Sequence, residues 1–113
     1  MQQETLTVDS FAGKSEGTRI VRVAGPVLLS NFFALKSELE QHHAPVTILD
    51  LSGVEYMDSA GMGAIINFYV SSQRRGHKLI AAGVNHRVIE LFKLTHFDSL
   101  IPITATVDEA EKL

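Results

Sequence analysis

The chain contains no cysteine. This absence excludes a disulfide scaffold, a thiolate zinc site and a cysteine nucleophile, and it fits a reducing compartment. Proline is also scarce, with three residues far apart, and no stretch rich in proline, glycine or serine divides the chain. We therefore expect a single domain over residues 1–113, long enough to bury one hydrophobic core without cross-links.

Basic residues are outnumbered as well. Ten Lys and Arg stand against 13 Asp and Glu, giving a net charge of −3, which disfavours a protein that mainly neutralises nucleic-acid phosphates. The longest uncharged stretch, residues 59–73, is shorter than the roughly 20 apolar residues that span a bilayer. The N-terminus lacks the basic start and apolar run of a signal peptide. We therefore expect a cytoplasmic protein that binds neither nucleic acid nor membrane.

Hydrophobic periodicity predicts alternating strands and helices in the order β-β-α-β-α-β-α-β-α. The predicted strands are residues 5–8, 18–24, 46–51, 78–84 and 100–103. The predicted helices are residues 30–43, a helix from Met62 to Arg75 capped by Asp58, a short helix after Asn85, and a final helix starting with the capping box at Thr106. This order predicts an α/β sandwich whose sheet has four to five mostly parallel strands, an N-terminal antiparallel hairpin and about four helices.

Functional residues of such sheets gather where strands end and helices begin. Here the strand ending at Leu51 leads to Asp58 and Ser59 at a helix N-terminus. Capping explains Asp58, but Gly61 and Gly63 each cost on the order of 1 kcal/mol in a helix and indicate that something approaches this backbone closely. Free N–H groups at a helix N-terminus also suit a phosphate on Ser59. The residues alone leave open a purely structural cap and a modified or contacted serine.

Other chemistries find little support, and we expect neither enzymatic activity nor a cofactor. Ser59 lacks the glycine two positions earlier that a nucleophile elbow requires, since Met57 stands there. Asp50 has no acidic pair at a neighbouring strand end to hold magnesium and is interpreted as structural. The five histidines show no ligand spacing, so we assign no metal site.

Several segments resemble, in matching order, the STAS domain of bacterial anti-sigma factor antagonists. They are DLSGV at 50–54, MDSAGMGAI at 57–65, GHKLI at 76–80, NHRV at 85–88 and LFKLT at 91–95. The resemblance covers most of the chain from about the second strand onward.

The resemblance implies a stand-alone antagonist that works by partner switching. The unphosphorylated protein would bind an anti-sigma factor that is itself a serine/threonine kinase, and so free a sigma factor. The kinase, which binds the ATP, would phosphorylate Ser59 and break the complex until a phosphatase removes the phosphate. The expected partner-binding residues are Ser30, Asn31, Met57, Asp58, Ser59, Ala60, Gly61 and Met62.

The sequence departs from this family at residues 25–31 (GPVLLSN), where many antagonists carry an acidic residue. We expect Val27, Leu28 and Leu29 to be buried under the first helix, with an exposed binding patch as the alternative. The alternative function is a STAS adaptor subunit, never phosphorylated, of a stress-signalling or lipid-transport complex.

Overall fold

The computed structural model describes residues 5–113 and has the predicted order of elements. The strands are β1 (Thr7–Ala12), β2 (Thr18–Ala24), β3 (Val46–Gly53), β4 (Lys78–Ala82) and β5 (Ile103–Thr104). The helices are α1 (Phe33–Gln41), α2 (Ser59–Arg74), α3 (His86–Leu94) and α4 (Val107–Glu111), with a 3-10 turn at Phe97–Ser99. The predicted fold class is confirmed.

The five strands form one sheet in the order β1-β2-β3-β4-β5. The first pair is antiparallel and the other three pairs are parallel. Strand β3 lies at the centre, and its Ile48, Leu49 and Leu51 are fully buried. This explains its nearly continuous apolar sequence, because a parallel strand covered on both faces has no polar side.

Helices cover both faces of the sheet unequally. Side chains of α1, α2 and α3 pack against one face in the larger core, which includes Leu35, Ile65 and Phe92. On the other face, Ala110 of α4 packs on a smaller cluster that includes Ile48. The sheet therefore has one broad core and one small one, and the carboxyl ends of β2, β3 and β4 meet at a single edge.

Two predicted boundaries at the N-terminal half are wrong. Strand β1 begins at Thr7, because Thr7 pairs with Ala24 at the end of the ladder and Gly25 then turns away with a φ of +101°. Helix α1 begins at Phe33, because Asn31 Oδ1 accepts the Leu28 N–H at 2.8 Å and holds the preceding residues in a turn.

Three other boundaries also differ. Strand β3 extends to Gly53, which pairs with Ala24, and β4 ends at Ala82 because Gly83 has a φ of +71°. The edge strand β5 has only two residues, since Pro102 just before it has no N–H to donate. No helix within residues 5–113 is long and apolar enough to cross a membrane.

Candidate functional site

Ser59 is the first residue of α2, where the chain arrives from the carboxyl end of β3. Ser59 is exposed to solvent, whereas its neighbours in the sequence are buried or half-buried, namely Met57, Asp58, Ala60 and Gly61. Another protein can therefore reach the Ser59 hydroxyl. The sequence alone did not show whether this residue is exposed.

Asp58 is the N-cap of α2, as predicted, and it also reaches a second segment. Its Oδ1 accepts the N–H groups of Ala60 at 3.0 Å and Gly61 at 3.1 Å. Its Oδ2 accepts the N–H of Leu29 at 2.9 Å. The expectation of free N–H groups for a phosphate is therefore wrong for Ala60 and Gly61, because Asp58 already occupies both.

The loop of residues 25–31 packs directly on the start of α2. Val27 donates its N–H to the Tyr56 carbonyl at 3.1 Å and accepts the Asp58 N–H at 3.0 Å. A Cβ added at Gly61 would lie 2.6 Å from Val27 Cγ1 and 2.8 Å from the Val27 carbonyl oxygen. The close approach predicted from Gly61 is thus made by the chain's own loop. At Gly63 no other part of the described chain makes such an approach, since nothing lies within 4 Å of the position of an added Cβ.

Asn31 holds the 25–31 loop together from inside. Its Oδ1 accepts the Leu28 N–H, and its Nδ2 donates to the Pro26 carbonyl at 3.0 Å. The Gly25 N–H donates to Gly53 O at 2.9 Å and fixes the start of the loop. Of the two expected contact residues in this loop, Ser30 is exposed, whereas the amide of Asn31 is committed to internal hydrogen bonds.

The apolar residues of the 25–31 loop have different environments. Val27 is fully buried and Leu28 is half-buried, which agrees with the prediction. Leu29 is 72% exposed, so the prediction of burial is wrong there. Phe33, which we had not singled out from the sequence, is 68% exposed at the first position of α1.

Met57 and Met62 lie in the larger core with 4% and 1% of their surface exposed. The expectation that they offer apolar side chains to a partner is therefore not met. Gly61 is also buried, and Ala60 is half-buried. Ser59 and the exposed residues of the 25–31 loop form one part of the accessible surface at this end of the sheet.

A groove opens beside this surface, with a cavity volume of about 600 Å³. Pro26, Leu28 and Tyr56 line it, and the Arg87 guanidinium lies 5.6 Å from the Tyr56 ring centroid. Asn85 stabilises the segment before Tyr56, because its Nδ2 donates to the Val54 and Glu55 carbonyls at 3.1 Å each. Sequence reasoning missed this groove, since its lining comes from three segments that only the fold brings together.

Asp50 lies within β3, three residues before its last residue, Gly53, and is 5% exposed. Its Oδ1 accepts the N–H and the hydroxyl of Ser52 at 3.1 and 2.7 Å, and its Oδ2 accepts Arg22 Nε at 3.2 Å. These contacts agree with the structural role inferred from the sequence. Within the part of the chain that the structure describes, no group of three or more acidic or histidine side chains is placed to hold a metal ion.

The family model of the STAS domain matches residues 12–110 of this chain. The chain belongs to the STAS domain family. A curated relative, the anti-sigma-B factor antagonist of Listeria monocytogenes, is 31% identical over 84 residues, which are 72% of this chain and 74% of the relative. The resemblance seen in the sequence is confirmed.

Solved structures share the fold of this STAS protein. An anti-sigma factor antagonist from Mycobacterium paratuberculosis superposes with a TM-score of 0.79 over 96% of this chain and 92% of its own, at 22% identity. The phosphorylated form of the Bacillus cell fate determinant SpoIIAA gives 0.74 over 96% and 97%, at 13% identity. At these identities the likeness concerns the fold alone.

Proposed function

We propose that this STAS protein is an anti-sigma factor antagonist whose partner binding is switched off by phosphorylation of Ser59. The observation that carries the proposal is an exposed serine at the first residue of α2 in a chain 31% identical to the Listeria antagonist. The relative's name supports the regulatory role, and the exposure of Ser59 supports the site.

The electrostatics of the site favour repulsion once Ser59 is phosphorylated. A phosphate adds about −1.5 to −2 charges at neutral pH, directly beside the Asp58 carboxylate. The N–H groups of Ala60 and Gly61 already donate to Asp58, so neither is open to a phosphate. The added charge therefore has to be desolvated at an interface without new donors from these two residues. A hundredfold loss of affinity requires only about 2.7 kcal/mol.

In this proposal the protein is a substrate and a binding partner, and it is not an enzyme. Its partner is an anti-sigma factor with serine/threonine kinase activity, which supplies the bound ATP and releases a sigma factor when the antagonist binds. A phosphoserine phosphatase returns the antagonist to its binding form. These partners act in the cytoplasm, where we expect the protein to work.

The direct test is phosphorylation by the anti-sigma kinase purified from the same organism, with radiolabelled ATP. We expect one phosphate per chain on Ser59, located by mass spectrometry. Ser59→Ala abolishes labelling and keeps the complex with the kinase. Ser15→Ala is the matched control, because Ser15 is an exposed serine in the turn between β1 and β2, outside this surface, and it should be labelled like the wild type. Labelling at another residue, or none with a kinase that binds the protein, contradicts the switch.

Ser59→Asp tests whether charge at this position weakens the complex. We expect a loss of kinase affinity of about tenfold or more in calorimetry, with an unchanged circular dichroism spectrum. The adaptor alternative predicts the same affinity for Ser59→Asp as for the wild type.

A further inference from the structure

The residues next to Ser59 in the sequence offer little to an enzyme that recognises a linear motif. Met57, Gly61 and Met62, at two before, two after and three after the serine, are all buried. Both carboxylate oxygens of Asp58 already accept hydrogen bonds. Tyr56 is 46% exposed and lines the groove with Arg87 near its ring. The segment that carries Ser59 therefore exposes mainly Glu55 and Tyr56, and further recognition of Ser59 has to use side chains from another segment of the folded chain.

The 25–31 loop supplies such a segment, and hydrogen bonds fix it to the serine's own N-cap. The Leu29 N–H donates to Oδ2 of Asp58, which is the residue directly before Ser59. The Leu29 side chain is not needed for this bond, and 72% of its surface is exposed. A large apolar side chain is thus exposed on a residue whose backbone is hydrogen-bonded to the N-cap directly before Ser59.

Phe33 extends this apolar surface by one turn. The N–H groups of Asn31 and Phe32 both donate to Leu28 O, at 3.0 and 2.7 Å, and close a helical turn before α1. Residues four apart on a helical turn lie on the same side, so we expect Phe33 to lie on the same side as Leu29. Lys36 Nζ lies 5.8 Å from the Phe33 ring centroid, but 68% of the phenylalanine is exposed.

We propose that the kinase that phosphorylates Ser59 recognises it through Leu29 and Phe33, which enter an apolar recess on the kinase. The inference rests on the proposed function and specifies how that partner finds the serine. A kinase that brings ATP to Ser59 Oγ necessarily covers its immediate surroundings, including Leu29. The 25–31 loop carries no charged residue, so the matching surface of the kinase is apolar rather than charged.

The test compares kcat/KM for phosphorylation of Ser59 among full-length variants, with the same purified anti-sigma kinase and ATP. We expect Leu29→Ser to lower kcat/KM by about tenfold and the double variant with Phe33→Ser to lower it by about a hundredfold, both mainly through KM. The loss should be the same at low and high salt, because salt screens ion pairs and not apolar contacts. A peptide of residues 53–65 should not be phosphorylated.

Leu94→Ser is the matched control, since Leu94 is 77% exposed at the end of α3 and should leave kcat/KM unchanged. Thermal unfolding monitors the fold of each variant. If Phe33→Ser lowers stability, the kcat/KM of Leu29→Ser alone tests the inference. Wild-type kcat/KM in Leu29→Ser, an equal loss in Leu94→Ser, or efficient labelling of the peptide overturns the inference while leaving the switch intact. A wild-type protein that the kinase binds but does not label at Ser59 overturns the proposed function and this inference together.

Discussion

Asp58 joins two separate segments of the chain with one carboxylate. One oxygen caps α2 through Ala60 and Gly61, and the other holds Leu29 of the 25–31 loop. The sequence predicted the cap, because Asp before a helical pattern is a strong local signal. The bond to Leu29 spans 29 positions, and no local pattern reports it.

Replacing Asp58 should therefore cost more than the loss of an ordinary cap. We expect Asp58→Ala to lower the free energy of unfolding by about 2 kcal/mol, the upper end for an N-cap, because three N–H groups lose their acceptor. Asp58→Asn keeps one oxygen for α2 and should lose less. Urea unfolding measures both variants, and a stability of Asp58→Ala equal to that of the wild type would show that the bonds contribute nothing.

The two glycines at the start of α2 should respond oppositely to alanine. Gly61→Ala places a methyl group against Val27 and should lower the free energy of unfolding by about 1–3 kcal/mol, as overpacking does. Gly63→Ala meets no neighbour and should raise it by up to about 1 kcal/mol through helix propensity. The pair differs only in surroundings, so equal shifts in urea midpoint would refute the packing explanation.

Single residues also show where sequence reasoning stops. Helical spacing correctly placed Met62 on the inner side of α2, yet the same residue was expected to contact a partner, and burial makes these roles incompatible. The environment of Leu29 was not predictable either. An apolar loop residue is buried or exposed according to which neighbour its backbone pairs with, and here that neighbour is Asp58.

At the scale of elements, the interior parts followed from the sequence and the ends did not. The centres of α2 and α3 were predicted from their apolar periods, and the centre of β3 from its nearly continuous apolar run. The start of α1 was misplaced because Asn31 closes a turn with its side chain, and the extent of β1 depends on a ladder with β2. Such ends are decided by partners from elsewhere in the chain.

The turn that ends α3 carries a backbone cost that can be measured. His96 follows this helix with a φ of 60°, in the left-handed region that favours glycine. We expect His96→Gly to raise the free energy of unfolding by about 0.5–1 kcal/mol, since relief of the strain outweighs the greater freedom of the unfolded glycine. His96→Ala keeps the Cβ and should bring no gain. A thermal melt compares them, and a lower midpoint for the glycine variant would contradict the strain.

For the molecule as a whole, the candidate site and the contact that holds the last helix lie at different ends of the sheet. Ser59 and the 25–31 loop lie at the carboxyl ends of the parallel strands. At the opposite end, Glu111 of α4 accepts the Lys14 N–H at 2.7 Å and so ties the last helix to the turn between β1 and β2. The contact between Lys14 and Glu111 and the surface proposed to bind the partner therefore lie at opposite ends of the sheet.

This separation predicts that stability can change without changing phosphorylation. Glu111→Ala should lower the free energy of unfolding by about 1 kcal/mol or less, because the lost hydrogen bond is exposed to solvent. Asp108→Ala is the control and should have almost no effect, since its ion pair with Lys14 is largely exposed. At 25 °C, both variants should be phosphorylated at Ser59 with wild-type kcat/KM. A selective loss in Glu111→Ala would show that the two ends communicate.

The 25–31 loop is anchored through its main chain at Gly25, Val27 and Leu29, and by the side chain of Asn31. None of these anchors uses the side chains of residues 28–30. Those three positions can therefore be rewritten while the serine beside them stays in place. In a cell with several related antagonists, or in a synthetic circuit built from them, exchanging this short stretch would change which kinase recognises the protein. Differences at residues 28–30 would then prevent cross-talk between pathways.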